Sequence, residues 1–264
     1  AIILFVPQGM MGMFLPTRID HHGWQLALLA VNLAGLTDPK RARGGLTVGL
    51  ATAASLAIGL EMLIFLAIAG AQIVLRWVWD DGDVRRMRAY GLSLAGGVSF
   101  FFLTFASEAN WVARCDALTP VWLSVMIIAG AFVTVLSYLP LRTPAQRLGA
   151  AAVAGAVIVG GFALVWPQCL GRPEQVSPEL ERLWLKNITE ARPIYKQQWV
   201  SFLPNIFLPL LGLAGTIWAL MRARAGAQAG IWISLAFMSL LSCLMLVWQT
   251  RAGPAAQMVS LAGA

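Results

Sequence analysis

In this chain of 264 residues, 59% are hydrophobic and only 12% charged, with a mean hydropathy of +0.73, and a water-soluble domain of that length needs a surface richer in charge. The net charge of +7 does not imply nucleic acid, because the cations are dispersed among short loops rather than gathered on one polybasic face. The apolar residues run in blocks of about 20, the length of a membrane span, without the alternating segments of a transmembrane barrel. The composition therefore predicts an all-α, polytopic transmembrane helical protein.

In chain order, the candidate spans are roughly 1–15, 23–36, 45–58, 60–76, 89–106, 120–140, 149–166, 200–221 and 229–249, eight or nine crossings in all. The chain begins without Met inside an apolar run and ends in "MVSLAGA", which reads as an internal transmembrane domain, 1–264, of a longer protein. The first polar interruption is "FLPTRIDHHGWQLALL", which sets Arg18, Asp20, His21 and His22 between two apolar runs; these are the only two histidines in the sequence. A carboxylate beside imidazoles can hold a divalent cation or act as a base and its orienting partner. A polar loop at headgroup level is the plainer alternative.

The block 45–76 comes next. Its 32 residues would make one helix of about 48 Å, too long for one span and too short for two full ones. We expect two short helices meeting near Gly59-Leu60-Glu61. With that turn, the loops divide by charge. One set holds Lys40, Arg41, Arg43, Arg76, Arg85, Arg86, Arg88, Arg142, Arg147, Arg222 and Arg224 against Asp38, Asp80, Asp81 and Asp83. The other set balances eight cations with eight anions. The positive-inside rule places the first set in the cytoplasm. Asp20, Glu61, the "SEANWVARCDALTP" loop, the long loop 167–199 and Arg251 are then expected on the opposite face. Cys115 and Cys169 both lie in outward loops, where an oxidising compartment favours a disulfide between them. Asp116 is a possible lining residue, although a solvated loop carboxylate is the simpler reading.

The main extramembrane segment is 167–199. Ser177 followed by Pro178, Glu179 and Glu181 reads as a capped helix start, and "LERLWLKNI" carries apolar residues spaced for a helix on the membrane surface. Asn187-Ile188-Thr189 also fits a glycan-acceptor triplet, a pattern common by chance.

Several of these stretches together resemble the catalytic subunit of oligosaccharyltransferase, a membrane glycosyltransferase of the GT-C class. Ile188-Thr189-Glu190-Ala191-Arg192-Pro193 is similar to that family's Ser/Thr-Val/Ile-x-Glu loop with its following Pro. "RIDHHGWQLALL" resembles its Asp-Asn-Glu-Gly-Ile stretch, which also runs into a short helix, and "WQTRAGPAAQ" puts Arg251 where the family keeps an arginine for the donor phosphate. The order of the motifs also agrees, although each is short.

The resemblance implies transfer of a sugar or oligosaccharide from a polyprenyl (pyro)phosphate to an acceptor on the periplasmic or extracellular face of the inner (cytoplasmic) membrane. It implies catalytic roles for Asp20 and Glu190, with a divalent cation held by Asp20, His21, His22 and Glu190, and Arg251 with Arg18 on the donor phosphate. Glu61 and Asp116 would line the site. The cation would be Mg or Mn, with Zn also open, because histidines replace the family's Asn-Glu. The implied partners are the lipid bilayer, the lipid-linked donor and further membrane subunits. The family's first catalytic Asp, in an earlier outer loop, and its soluble C-terminal domain have no counterpart in this sequence. The other class of function compatible with these residues is a transporter or a non-catalytic membrane subunit of a larger assembly.

Overall fold

The computed structural model describes residues 8–16, 18, 20–171, 178–183, 187–223 and 227–264. Among them the protein is all-helical, without a strand. The helices are α1 (Gln8–Gly12), α2 (His22–Thr37), α3 (Arg41–Ile58), α4 (Leu63–Trp79), α5 (Val84–Phe105), α6 (Pro120–Leu136), α7 (Pro144–Val165), α8 (Pro178–Leu183), α9 (Trp199–Arg222), α10 (Ala227–Trp248) and α11 (Gly253–Ser260). They form two compact units, one of residues 1–30 and 176–264 and one of 31–175.

In the second unit α3 lies along α5, α5 along α6, and α7 contacts both α4 and α6. Small residues allow the close approach. A Cβ added to Gly45 would stand 2.0 Å from the backbone carbonyl oxygen of Arg86. Gly91 and Gly130 face each other where α5 crosses α6, each leaving no room for a Cβ beside the other's carbonyl. The long apolar block breaks where expected: α3 ends at Ile58, α4 starts at Leu63, and Glu61 is exposed between them. Thr143 and Gln146 form a reciprocal capping box at the start of α7, with Pro144 at its first position, a strong helix-start signal.

The basic loops at one end of this unit hold it together. Asp83 is buried and faces three guanidinium groups, those of Arg76 at 2.9 Å and of Arg41 and Arg86 at 3.4 Å. Arg86, itself buried, also donates to the carbonyls of Gly35, Leu36 and Asp38, at and just past the C-terminal end of α2. A cation there suits the helix dipole. At the opposite end Cys115 and Cys169 are disulfide-bonded, their Cα atoms 5.3 Å apart. The bond is packed with Val121, Trp122, Phe162 and Trp166, and the Trp122 indole N–H donates to the Cys115 carbonyl at 2.9 Å.

Among the described residues, three helices are long and apolar enough to cross a membrane: α7, α9 and α10, with hydropathies of 2.3, 1.7 and 2.2. α4 and α6 are equally apolar in character but shorter, at 17 residues each. Three is fewer than the eight or nine crossings expected from the sequence. Helix length and charge explain the difference. α2 has 16 residues, about 24 Å, and α3 and α5 open on Arg41-Ala42-Arg43 and Val84-Arg85-Arg86-Met87-Arg88, which use helical turns for cations. Most of α7 faces outward, with Val153, Val159 and Leu164 at 65%, 68% and 84% exposure. An apolar face of that extent needs lipid or a partner against it.

The expected surface helix is shorter than the apolar spacing of 180–188 implied. α8 spans Pro178–Leu183, and after it Ile188 is extended and Thr189–Ala191 form a 3-10 turn. The proposed Ser177 cap and residues 184–186 lie outside the described residues, as do residues 1–7 of the span expected at 1–15.

Candidate functional site

Asp20, His21, His22, Glu190, Arg18 and Arg251 all belong to the first unit, although they come from opposite ends of the sequence. That unit is assembled around α9, against which α10 and α11 pack, with α1 on α11. Gln257 of α11 is fully buried and joins three helices: its side-chain oxygen accepts from the Met10 N–H at 2.8 Å, and its amide donates to the Pro204 carbonyl at 3.0 Å. The segment leading to Asp20 is thereby tied to α9 and α11.

Asp20 stands just before α2. One carboxylate oxygen accepts from the His22 backbone N–H at 3.2 Å, satisfying a free donor at the helix start. The other accepts from the Arg18 Nε. Arg18 therefore holds the Asp20 carboxyl below its usual range, with the His22 N–H adding to the effect against partial desolvation. The His22 Nδ1 is buried, makes no hydrogen bond among the described residues, and sits 3.5 Å from an Asp20 carboxylate oxygen. The His21 ring stacks on that of His22 with centroids 4.5 Å apart. Donor atoms 3.5 Å apart, like the His22 Nδ1 and the Asp20 oxygen, are close enough to share one ion, since ligands about 2 Å from a metal lie roughly 3 Å from each other. Arg18 is a competing charge on the same carboxylate.

Glu190 sits in the 3-10 turn Thr189–Ala191, and the loop around it is fastened to the turn Thr250–Ala252 that follows α10. The Thr250 N–H and hydroxyl both donate to the Arg192 carbonyl, at 2.9 and 2.7 Å. The Gln197 amide donates to the Thr189 carbonyl at 2.6 Å and to the Thr250 hydroxyl at 3.0 Å. Below them Ile194 is buried with Leu246 and Ala256. This stitching brings the Arg251 Nη2 within 3.2 Å of a Glu190 carboxylate oxygen, across 61 positions of sequence. The Arg251 Nε N–H is buried and has no acceptor among the described residues. A buried guanidinium N–H without an acceptor is costly.

The two carboxylates expected to share a cation thus each sit on an arginine, Asp20 on Arg18 and Glu190 on Arg251. Glu61, Asp116 and the disulfide belong to the second unit, where Asp116 is an exposed loop carboxylate beside the buried Cys115. Sequence reasoning passed over Gln197, Thr250 and Gln257. Neutral polar side chains carry no motif, and their partners lie about 50 to 250 positions away. Compared with known protein families, curated proteins and solved structures, the chain matches none.

Proposed function

We propose that the protein is a membrane glycosyltransferase that moves a sugar or oligosaccharide from a polyprenyl (pyro)phosphate to an acceptor at the non-cytoplasmic face. The observation that carries this reading is Arg251, with Nη2 on Glu190 and a buried Nε N–H without an acceptor among the described residues. The Glu190–Arg251 pair is partly exposed, at 59% and 35%, and such pairs contribute at most about 1 kcal/mol. Exchange of Glu190 for a donor phosphate oxygen, with the Nε N–H also satisfied, gains a charge-assisted bond worth roughly 1.5–3 kcal/mol. Glu190, released, takes the proton of the acceptor nucleophile as that nucleophile bonds to the anomeric carbon. The bond from that carbon to the phosphate oxygen breaks, and its electron pair leaves with the phosphate. Asp20 and His22 are the residues that would hold a divalent cation, which when bound neutralises charge on the departing phosphate. In this reading α2 to α6 cross the bilayer, as do α7, α9 and α10. The shorter ones are accommodated by local thinning, and the cationic loops lie on the cytoplasmic side of the inner membrane.

The test is transfer from a polyprenyl-phosphate sugar by the full chain in proteoliposomes, with Mn²⁺ retention measured separately. Asp20→Asn and Glu190→Gln should abolish transfer, and His22→Ala should lose Mn²⁺. Transfer unchanged in both carboxylate variants would end the proposal. The closed pairs Arg18–Asp20 and Glu190–Arg251 favour one other reading, a non-catalytic membrane subunit with interfacial loops. That reading expects no donor turnover by the wild type.

A further inference from the structure

The second unit contains a cavity of about 470 Å³ at its cationic end, between the turn that joins α4 to α5 and the connection from α6 to α7. Three of its lining residues are Arg88, Arg142 and Arg147, and one is acidic, Asp81. Arg147 is buried and fixed by donation to the carbonyls of Leu141 and Trp77, with Asp81 2.7 Å from its Nη2. Arg88 is half-buried, donates to the hydroxyl and carbonyl of Ser137, and stacks over the Tyr138 ring at 3.8 Å. Arg142 is exposed, and its guanidinium makes no hydrogen bond or ion pair among the described residues. Two pre-oriented guanidinium groups and one unengaged group surround the space, with an excess of two positive charges.

From this geometry we infer that the cavity is a binding site for a phosphate ester, and that the α6–α7 connection supplies its selectivity for anionic over zwitterionic forms. Planar guanidinium groups match phosphate oxygens in pairs, and basic pockets between membrane helices take up anionic headgroups. The surroundings favour a phospholipid as the source. Trp79 and Tyr138 present rings at the same end, 69% and 63% exposed, as residues at a membrane interface do, and α7, which carries Arg147, is the most outward-facing apolar helix. The inference rests on the membrane reading of α7 and is independent of glycosyl transfer.

The experiment uses the full chain, delipidated in a non-ionic detergent, with native mass spectrometry after addition of phosphatidylglycerol, phosphatidylcholine or inorganic phosphate. Wild type should retain phosphatidylglycerol over phosphatidylcholine. Arg142→Ala, which disturbs no contact, should bind it about ten-fold more weakly, the worth of one charge-assisted hydrogen bond, and Arg88→Gln should weaken it further. Retention of inorganic phosphate without lipid, lost in the same variants, would uphold the phosphate site and assign it to soluble esters. Equal retention of both lipids, or retention of phosphatidylglycerol unchanged by Arg142→Ala, would overturn the inference.

Discussion

At the scale of single residues, the same side-chain chemistry serves different ends depending on what surrounds it. Arg86 is enclosed by carbonyls and Asp83 and is structural, whereas Arg251 has a buried N–H without an acceptor among the described residues. Arg251→Lys keeps the charge but loses the planar fork, so it should not rescue what Arg251→Ala removes. Both variants should bind a polyprenyl-phosphate donor about one to two decades more weakly, measured by scintillation proximity in detergent. Equal binding by all three proteins would make Arg251 an interface anchor.

Asp38 provides a test by pH. The Arg43 guanidinium, then the Lys40 backbone N–H, hold its carboxyl down at about 2 against an ordinary 3.8. A depressed carboxylate stabilises the folded state fully above its unfolded value and loses that contribution as pH falls through its folded value. Thermal unfolding of wild type should therefore lose this increment between about pH 4 and pH 2, and Asp38→Asn should lack it. Identical acid limbs for the two proteins would contradict the assignment.

At the scale of elements, helix identity was legible in the sequence because an apolar block of this length has few other solutions. The α3–α4 break was legible because 32 residues do not fit one bilayer crossing. Boundaries near 187–191 were not, since the apolar spacing of Leu180, Leu183 and Ile188 continues past the point where tertiary hydrogen bonds to Thr250 and Arg192 take over. Three predictions belong here. Gly45→Ala drives a methyl into the Arg86 carbonyl and should cost about 1–3 kcal/mol in detergent unfolding. Gly96→Ala meets nothing within 4 Å and should be neutral or stabilising. In α7, Val157→Asp places a charge near the middle of an outward apolar face and should cost about 2.5–3.5 kcal/mol in a translocon insertion assay. Undiminished insertion would show that α7 is covered by a partner rather than by lipid.

At the scale of the whole molecule, each unit has its own fastenings. In the second, the disulfide closes a separation of 54 residues, which by chain entropy contributes about 4 kcal/mol. The Cys115→Ser, Cys169→Ser double variant should therefore unfold at markedly lower denaturant, while reductant should not shift it further. Membrane sidedness within this unit is testable by labelling. An impermeant maleimide should reach Ala109→Cys, and not Arg85→Cys, from outside intact cells, and the reverse pattern would refute the positive-inside assignment.

The sequence by itself determined that the chain is helical, apolar enough for a membrane, and punctuated by loops of unequal charge. Those properties follow from composition, block length and local periodicity, which act over a few turns of helix. Tertiary structure decided which charges meet. That Asp20 rests on Arg18, that Glu190 meets Arg251, and that Asp83 gathers three arginines depends on contacts spanning from two to more than sixty positions. Ion pairs follow distance in space, and a linear sequence does not encode that distance until helix packing, with close approaches such as those at Gly45 and Gly91, sets it.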